Sequence, residues 1–209
     1  MERSGSGPMH HEDSARGRLM TAAIALFARK GYSATSVREI VAAAGVTKPV
    51  LYYHFGSKEG IFLAMMGEAL AEFEATATAA MNAGGSAAER IVRFLDGTFA
   101  LVLEHLDAMR VLDAIYYGPP QGAPFFDFEA IHERFIGMLT TMVRDGMAAG
   151  EFRPGDPEDV AWALAGPFEV VRGMSLSHPE IGFGRERLAR LVRVVFDGVM
   201  SGPAKESSR

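Results

Sequence analysis

Apolar residues recur at helical spacing along most of this chain, and no segment sustains the two-residue alternation of a half-buried strand. Leu19, Ala23, Leu26 and Phe27 line one face of a first helix expected over about residues 14–30. Gly31 ends it, with Arg29 and Lys30 at the favourable end of the helix dipole. A second helix starts after Ser36, where Glu39 three residues on completes a capping box. It turns Val37, Ile40, Val41 and Ala44 inward. Gly45 supplies a cheap left-handed turn, and Val46 fills the angle before a third helix. That helix opens on Thr47, carries Pro49 in its first turn at no cost, and is anchored by Leu51 and Phe55. Gly56 closes it, and Ser57 caps the next.

The pattern then predicts helices over about 58–81, 87–106, 108–116, 126–149, 157–174 and 185–200. Gly84-Gly85-Ser86 breaks the chain between the first two. Residues 118–124, GPPQGAP, read as a loop because prolines remove backbone donors. Asp156 caps the helix that starts at Pro157. The expected fold is all-α, with about nine helices. A three-helix N-terminal head over 14–57 precedes a helical ligand-binding and dimerisation body over 58–201. Residues 1–13, rich in Gly, Ser and His, are expected to be disordered, and 202–209 to fray. Two adjacent histidines in such a tail, His10 and His11, make a poor chelate.

Net charge sharpens the division. The whole chain is at −5, which argues against DNA as a partner if taken globally. Residues 14–58, however, carry seven cations (Arg16, Arg18, Arg29, Lys30, Arg38, Lys48, Lys58) and one acid, Glu39, a balance of +6, so the remainder is at −11. A basic head on an acidic body suits nucleic-acid binding with little non-specific attraction to phosphate. The absence of cysteine excludes disulfides and thiolate metal sites and fits a reducing compartment. No signal-peptide or membrane-spanning run is seen, so a cytoplasmic protein is expected.

Residues 33–58, SATSVREIVAAAGVTKPVLYYHFGSK, thus read as a helix-turn-helix whose second helix enters a DNA groove. Its exposed face offers Thr47, Lys48, Val50, Tyr52, Tyr53 and His54. Successive helical residues point about 100° apart, so not all can face DNA. Tyr52 is assigned nearer the base edges, Tyr53 and His54 to the backbone, and one of the two tyrosines is expected to pack partly inward. Thr35 and Ser36, at the start of the second helix, can put a hydroxyl or N–H on phosphate. Lys58 opposes the dipole of its own helix, a penalty that a neighbouring phosphate would remove.

The ordered pattern FARKGYSATS, VREIVAAAGVTKPVLYYHF and GSKEGIF resembles the DNA-binding head of the TetR family of transcriptional regulators over residues 14–62. The later segment GMAAGEFRPGDPEDVAWALAG is similar to the junction between helices 7 and 8 in many members. The resemblance implies a homodimer on a roughly palindromic double-stranded operator and a small-molecule effector. It carries contact roles onto Thr35, Thr47, Lys48, Tyr52, Tyr53, His54 and Lys58. It also puts Val50 where a side chain often touches a base, such as a thymine methyl.

The last two helices offer Leu164, Phe168 and Val171, then Leu188, Leu191, Val192, Val195, Phe196 and Val199, at the spacing of a continuous apolar stripe. Such stripes suit a four-helix interface between two subunits or docking on the chain's own core, and the resemblance favours the dimer. For the effector, the expected lining is Phe99, Met109, Tyr116, Tyr117, Phe128, Phe135 and Trp162, drawn from an aromatic-rich middle that equally suits ordinary core. Glu129 and His132 have the Glu-x-x-His spacing of di-iron bundles, but one copy is too few ligands for a metal. No nucleophile-and-base motif or phosphate-binding glycine loop appears, so no catalysis and no cofactor are expected. The favoured reading is a ligand-responsive repressor. The alternatives are an architectural DNA-binding protein of the same fold, or a helical metal- or lipid-handling protein with a degenerate head.

Overall fold

The computed structural model describes residues 14–200, and the expected tails, with His10 and His11, lie outside them. The described residues contain nine α-helices and no sheet: α1 (Ala15–Lys30), α2 (Val37–Ala43), α3 (Lys48–Phe55), α4 (Lys58–Asn82), α5 (Ala87–Glu104), α6 (Leu106–Tyr116), α7 (Phe128–Ala148), α8 (Pro157–Ser177) and α9 (Arg185–Val199). No described helix is long and apolar enough to cross a membrane. The helices form two compact units, one from the residues up to Leu70 with His105–Phe126, the other from Ala71–Glu104 with Asp127 onward. Packing is therefore divided elsewhere than at residue 57, because the start of α4 and all of α6 belong with the first three helices.

In the first unit Leu19, Ala23, Ile40, Leu51, Ile61 and Phe62 are fully buried. The local signals act as the sequence predicts. Ser14 caps α1 by accepting from the Gly17 N–H, and Ser36 and Glu39 form both halves of the capping box on α2. Gly45 takes φ 64° in the turn between α2 and α3, and the Val46 N–H bonds the Val41 carbonyl across it. Thr47 begins α3 but makes no capping hydrogen bond through its hydroxyl. Ring contacts from Phe27 to Tyr32 at 5.2 Å and from Tyr32 to Phe62 at 5.4 Å join the ends of α1 and α4.

The second unit is organised around a cluster of tilted and edge-on phenylalanines. Phe94 and Phe135 have ring centroids 5.2 Å apart, Phe135 and Phe168 5.0 Å, and Phe99 and Phe168 6.3 Å. They come from α5, α7 and α8, whose inner faces they define. The start of α5 carries a second capping box, Ser86 with Glu89, and the Glu151 carboxylate accepts from the Ala87 N–H at 2.8 Å. A Cβ at Gly146 would lie 2.4 Å from the Phe152 ring, so only glycine fits there. Phe152 also stacks on Phe196 and makes an isolated β-bridge to Met200, tying the turn after α7 to the end of α9. Helix α7 starts two residues later than expected because Asp127 caps it, accepting from the Ala130 N–H at 3.0 Å.

Two outcomes test this packing. Glu39 is held at about 2 by hydrogen bonds from Lys30 and then from Ser36, below its ordinary 4.5. Its contribution is therefore complete above pH 4.5 and lost as pH falls towards 2. Glu39→Gln should flatten the acid limb of stability, read as a smaller difference in urea midpoint between pH 6 and pH 3 than in the parent chain. Phe135→Ala should cost about 3–5 kcal/mol in denaturant unfolding, because it removes the ring that both Phe94 and Phe168 touch.

Candidate nucleic-acid interface

Helix α3 is held by Leu51, which is fully buried, and its other side is open. Tyr53 is 85% exposed and Tyr52 52%, so both tyrosines face outward where one was expected to pack in. The difference follows from the shortness of α3. One buried leucine, with Phe55 half-buried beneath the Arg16 guanidinium at 5.2 Å, suffices to seat eight residues. Thr47, Lys48 and Pro49 are exposed at the N-terminal end, while Val50 and His54 are half-buried along the same helix. The Tyr53 and His54 rings meet edge-on at 5.0 Å, which limits the freedom of both. The Thr47 hydroxyl is exposed and unused in capping.

The start of α2 divides in two. Ser36 is exposed, but its hydroxyl donates to the Glu39 carboxylate at 2.7 Å inside the capping box. Thr35 corrects the sequence reading. It is 2% exposed, and its hydroxyl donates to the Gly31 carbonyl at 2.9 Å, so its side chain braces the preceding loop and does not reach phosphate. A hydroxyl beside a helix start serves phosphate only if it points outward, and this one satisfies a carbonyl that the end of α1 leaves open.

Lys58 is likewise committed to the inside of the first unit. Its ammonium donates to the Tyr32 carbonyl at 2.8 Å and the Thr35 carbonyl at 2.9 Å, and lies 4.1 Å from the centre of the Tyr32 ring. These partners supply the compensation for an adverse helix dipole that was expected from phosphate. Two of three ammonium donors are used, leaving one for phosphate. Burial, and then the charge of Lys30, lower the Lys58 pKa, while burial and then Glu59 raise that of the Tyr32 phenol.

Pairing thins the positive charge of the head. Arg16 bonds Glu68 at 2.6 Å, Lys30 pairs with Glu39, and Arg18 Nε donates to the Ala44 carbonyl at 3.2 Å, closing the end of α2. Arg29, Arg38 and Lys48 are exposed on these helices, as is Arg18, whose carbonyl partner leaves its charge in place. Sequence reasoning passed over Tyr32 and Gln121. Tyr32 had a local signal, since the residue after a helix-ending glycine often packs on the last turn, as Tyr32 does on Phe27. Gln121, whose Oε1 accepts from the Tyr32 N–H at 3.0 Å, had none.

The expected effector and dimer residues separate on the structure. Phe99 and Phe135 are buried among the phenylalanines of the second unit, so in this conformation they are core, not pocket lining. Phe128 is half-buried, and Trp162, 49% exposed, has its ring 5.3 Å from that of His132. Met109, Tyr116 and Tyr117 belong to the first unit. Met109 is half-buried there, and the two tyrosines are 45% and 69% exposed with rings 4.6 Å apart. Of the expected dimer residues, Leu164, Phe168, Val171, Leu188 and Val192 are buried within the chain itself. This is a second correction: an apolar stripe records burial but not against what, and these five pack on the chain's own core. Leu191, Val195, Phe196 and Val199 are half-buried. On the opposite face of α8, Trp162, Ala163, Gly166 and Val170 are exposed, with the exposed Asp159 one turn before them.

Comparison with known proteins agrees with this architecture. Residues 19–65 match the model of the bacterial regulatory proteins of the tetR family. The transcriptional repressor KstR2 of Mycolicibacterium smegmatis is 28% identical over 150 residues, 71% of this chain and 73% of that protein. The A-factor receptor protein of Streptomyces griseus is 31% identical over 165 residues, 75% of this chain but 53% of the receptor, so the match spans about half of that relative. The solved structure of the ketosteroid transcriptional regulator KstR2 of Mycobacterium tuberculosis shares the fold, with a TM-score of 0.71 at 22% identity over 91% of this chain and 97% of the other. With its buried helix-turn-helix core and its open third helix, the chain carries over residues 19–65 the DNA-binding head of the TetR family of transcriptional regulators.

Proposed function

We propose that this protein is a repressor that binds a roughly palindromic operator as a homodimer and is released by a small, mainly apolar molecule. The observation that carries the reading is the outer face of α3, where Thr47, Lys48, Tyr52 and Tyr53 are exposed on a helix whose inner side is seated on a closed core. Lys48 and the free hydroxyl of Thr47 suit phosphates, as do Tyr53 and His54, while Val50 and Tyr52 suit base edges. Residues 14–57 act as the reading head and 58–201 as the part that answers the effector and dimerises. The protein works in the cytoplasm, where its DNA partner is.

A single recognition helix reads too few base pairs to be specific, so a second copy is needed. The outer face of α8 suits that copy. Trp162, Ala163, Gly166 and Val170 carry no charge, and the small residues allow close helix approach. Two relatives support a ligand-responsive repressor, one named as a repressor and the other as a receptor. The interior of the second unit suits an apolar effector with at least one hydrogen-bonding group. Its core is packed with phenylalanines that an effector would have to part, and Thr98 Oγ1 is buried in that unit without a hydrogen-bond partner. The closure of Phe99 and Phe135 favours the alternative of an architectural protein without an effector. That alternative fails if a small molecule releases the protein from its operator.

Duplexes selected from genomic fragments by the full chain should contain an inverted repeat with half-sites one helical turn apart, ~34–36 Å, or a multiple of it. Recovery of sequences without a repeat counts against the dimeric reader. On the recovered duplex, Lys48→Ala should weaken binding and lower the slope of log affinity against log salt by about one, since one phosphate contact is lost. Val170→Glu should shift the protein towards monomer in sedimentation, because it would bury a charge in the interface. An unchanged dimer would place the interface elsewhere.

A further inference from the structure

The connection between α1 and α2, residues 31–35, is gripped from two sides. From the start of α4, Lys58 takes the carbonyls of Tyr32 and Thr35. From the loop after α6, Gln121 takes the N–H of Tyr32 through Oε1 at 3.0 Å, and its Nε2 donates to the Ala114 carbonyl in α6 at 3.2 Å. The carboxamide thus joins the last turn of α6 to the backbone that enters the helix-turn-helix. Tyr32 is 6% exposed, so its N–H has little access to water if Gln121 is withdrawn. Gly31 keeps the contact possible, since a Cβ there would lie 2.8 Å from Gln121 Oε1. The loop leads directly into Ser36 and the capping box, so the position of residues 31–35 sets where α2 begins. The turn at Gly45 then carries that placement to α3.

We propose that Gln121 is a positioning residue for DNA reading, acting as a tether that makes the end of α6 and the start of the helix-turn-helix move together. Its consequence for DNA rests on the reading of α3 given above, whereas the tether is a property of the free protein. The tether is bidirectional. If the position of α6 biases the recognition helix, then DNA held by the recognition helix must bias α6 by the same free energy.

The test is hydrogen exchange on the full chain. In free Gln121→Ala, exchange across residues 31–44 should rise about tenfold, the loss of one ordinary hydrogen bond, with α7 to α9 unchanged. Gln121→Glu keeps the acceptor for Tyr32 and loses the donor to Ala114. It should leave Tyr32 protected and loosen only the end of α6, and it serves if the alanine variant does not fold. On the duplex selected by the parent chain, binding should slow exchange across residues 114–122, and Gln121→Ala should abolish that slowing. Its affinity should fall about tenfold with an unchanged salt slope, because no phosphate contact is removed. Unchanged exchange over 31–44 in the free alanine variant overturns the tether, as does DNA-induced protection of 114–122 that survives the substitution. If no duplex is selected at all, the DNA reading fails, and the free-protein comparison still decides the tether.

Discussion

The first unit depends on satisfying the backbone of residues 31–35 away from water. The chain must reverse between α1 and α2, and the reversal leaves carbonyls and an N–H facing a core of Phe27, Tyr32 and Phe62. An unpaired backbone group in such surroundings costs roughly 1–3 kcal/mol. Here each has a designated partner: Thr35 hydroxyl on Gly31, Lys58 on Tyr32 and Thr35, Gln121 on the Tyr32 N–H. Lys58 is the most demanding of these, since its charge is partly desolvated at the adverse end of its own helix. The two carbonyls and the face of the Tyr32 ring are what hold it there.

That arrangement frees the recognition helix from most structural duties. With the loop braced from α4 and α6, α3 needs only Leu51 and part of Phe55 for its seat. Two tyrosines, a lysine and a threonine can then stand exposed on eight residues. The same economy appears in the charge. Arg16 and Lys30 are paired with Glu68 and Glu39 within the unit, while Arg18, Arg29, Arg38 and Lys48 are exposed. The second unit follows a different rule. Its helices bury phenylalanines from three directions, and Leu164, Phe168 and Val171 of α8 with Leu188 and Val192 of α9 are used up internally, while Leu191, Val195, Phe196 and Val199 stay half-buried.

Local chemistry was legible wherever the cause was local. Capping at Ser36 with Glu39, the glycine turns at Gly31 and Gly45, and Pro157 after Asp156 depend on residues within a few positions of each other, so the helix order and nearly all boundaries follow from them. On α3 the exposure of Thr47 and Lys48 was legible for the same reason, whereas Val50 and His54 are half-buried and neither tyrosine packs inward as one was expected to. Thr35 and Lys58 were not, because the direction of each side chain depends on a loop and a ring brought in from elsewhere. Leu164, Phe168 and Leu188 show the related limit of periodicity: it marks residues that avoid water and is silent on which surface covers them.

The sequence by itself determined an all-α chain with a basic helix-turn-helix at its start, because caps, turns and helical stripes are short-range and charge is additive. Tertiary structure alone decided that α6 joins the first unit and that Lys58 and Thr35 face inward. It also decided that Gln121 closes on Tyr32 and that the apolar stripe of α8 belongs to its own core. Each of those outcomes joins residues far apart in the chain, 89 positions in the case of Tyr32 and Gln121, and rests on which partner satisfies a buried polar group or fills a gap. No local pattern carries that information.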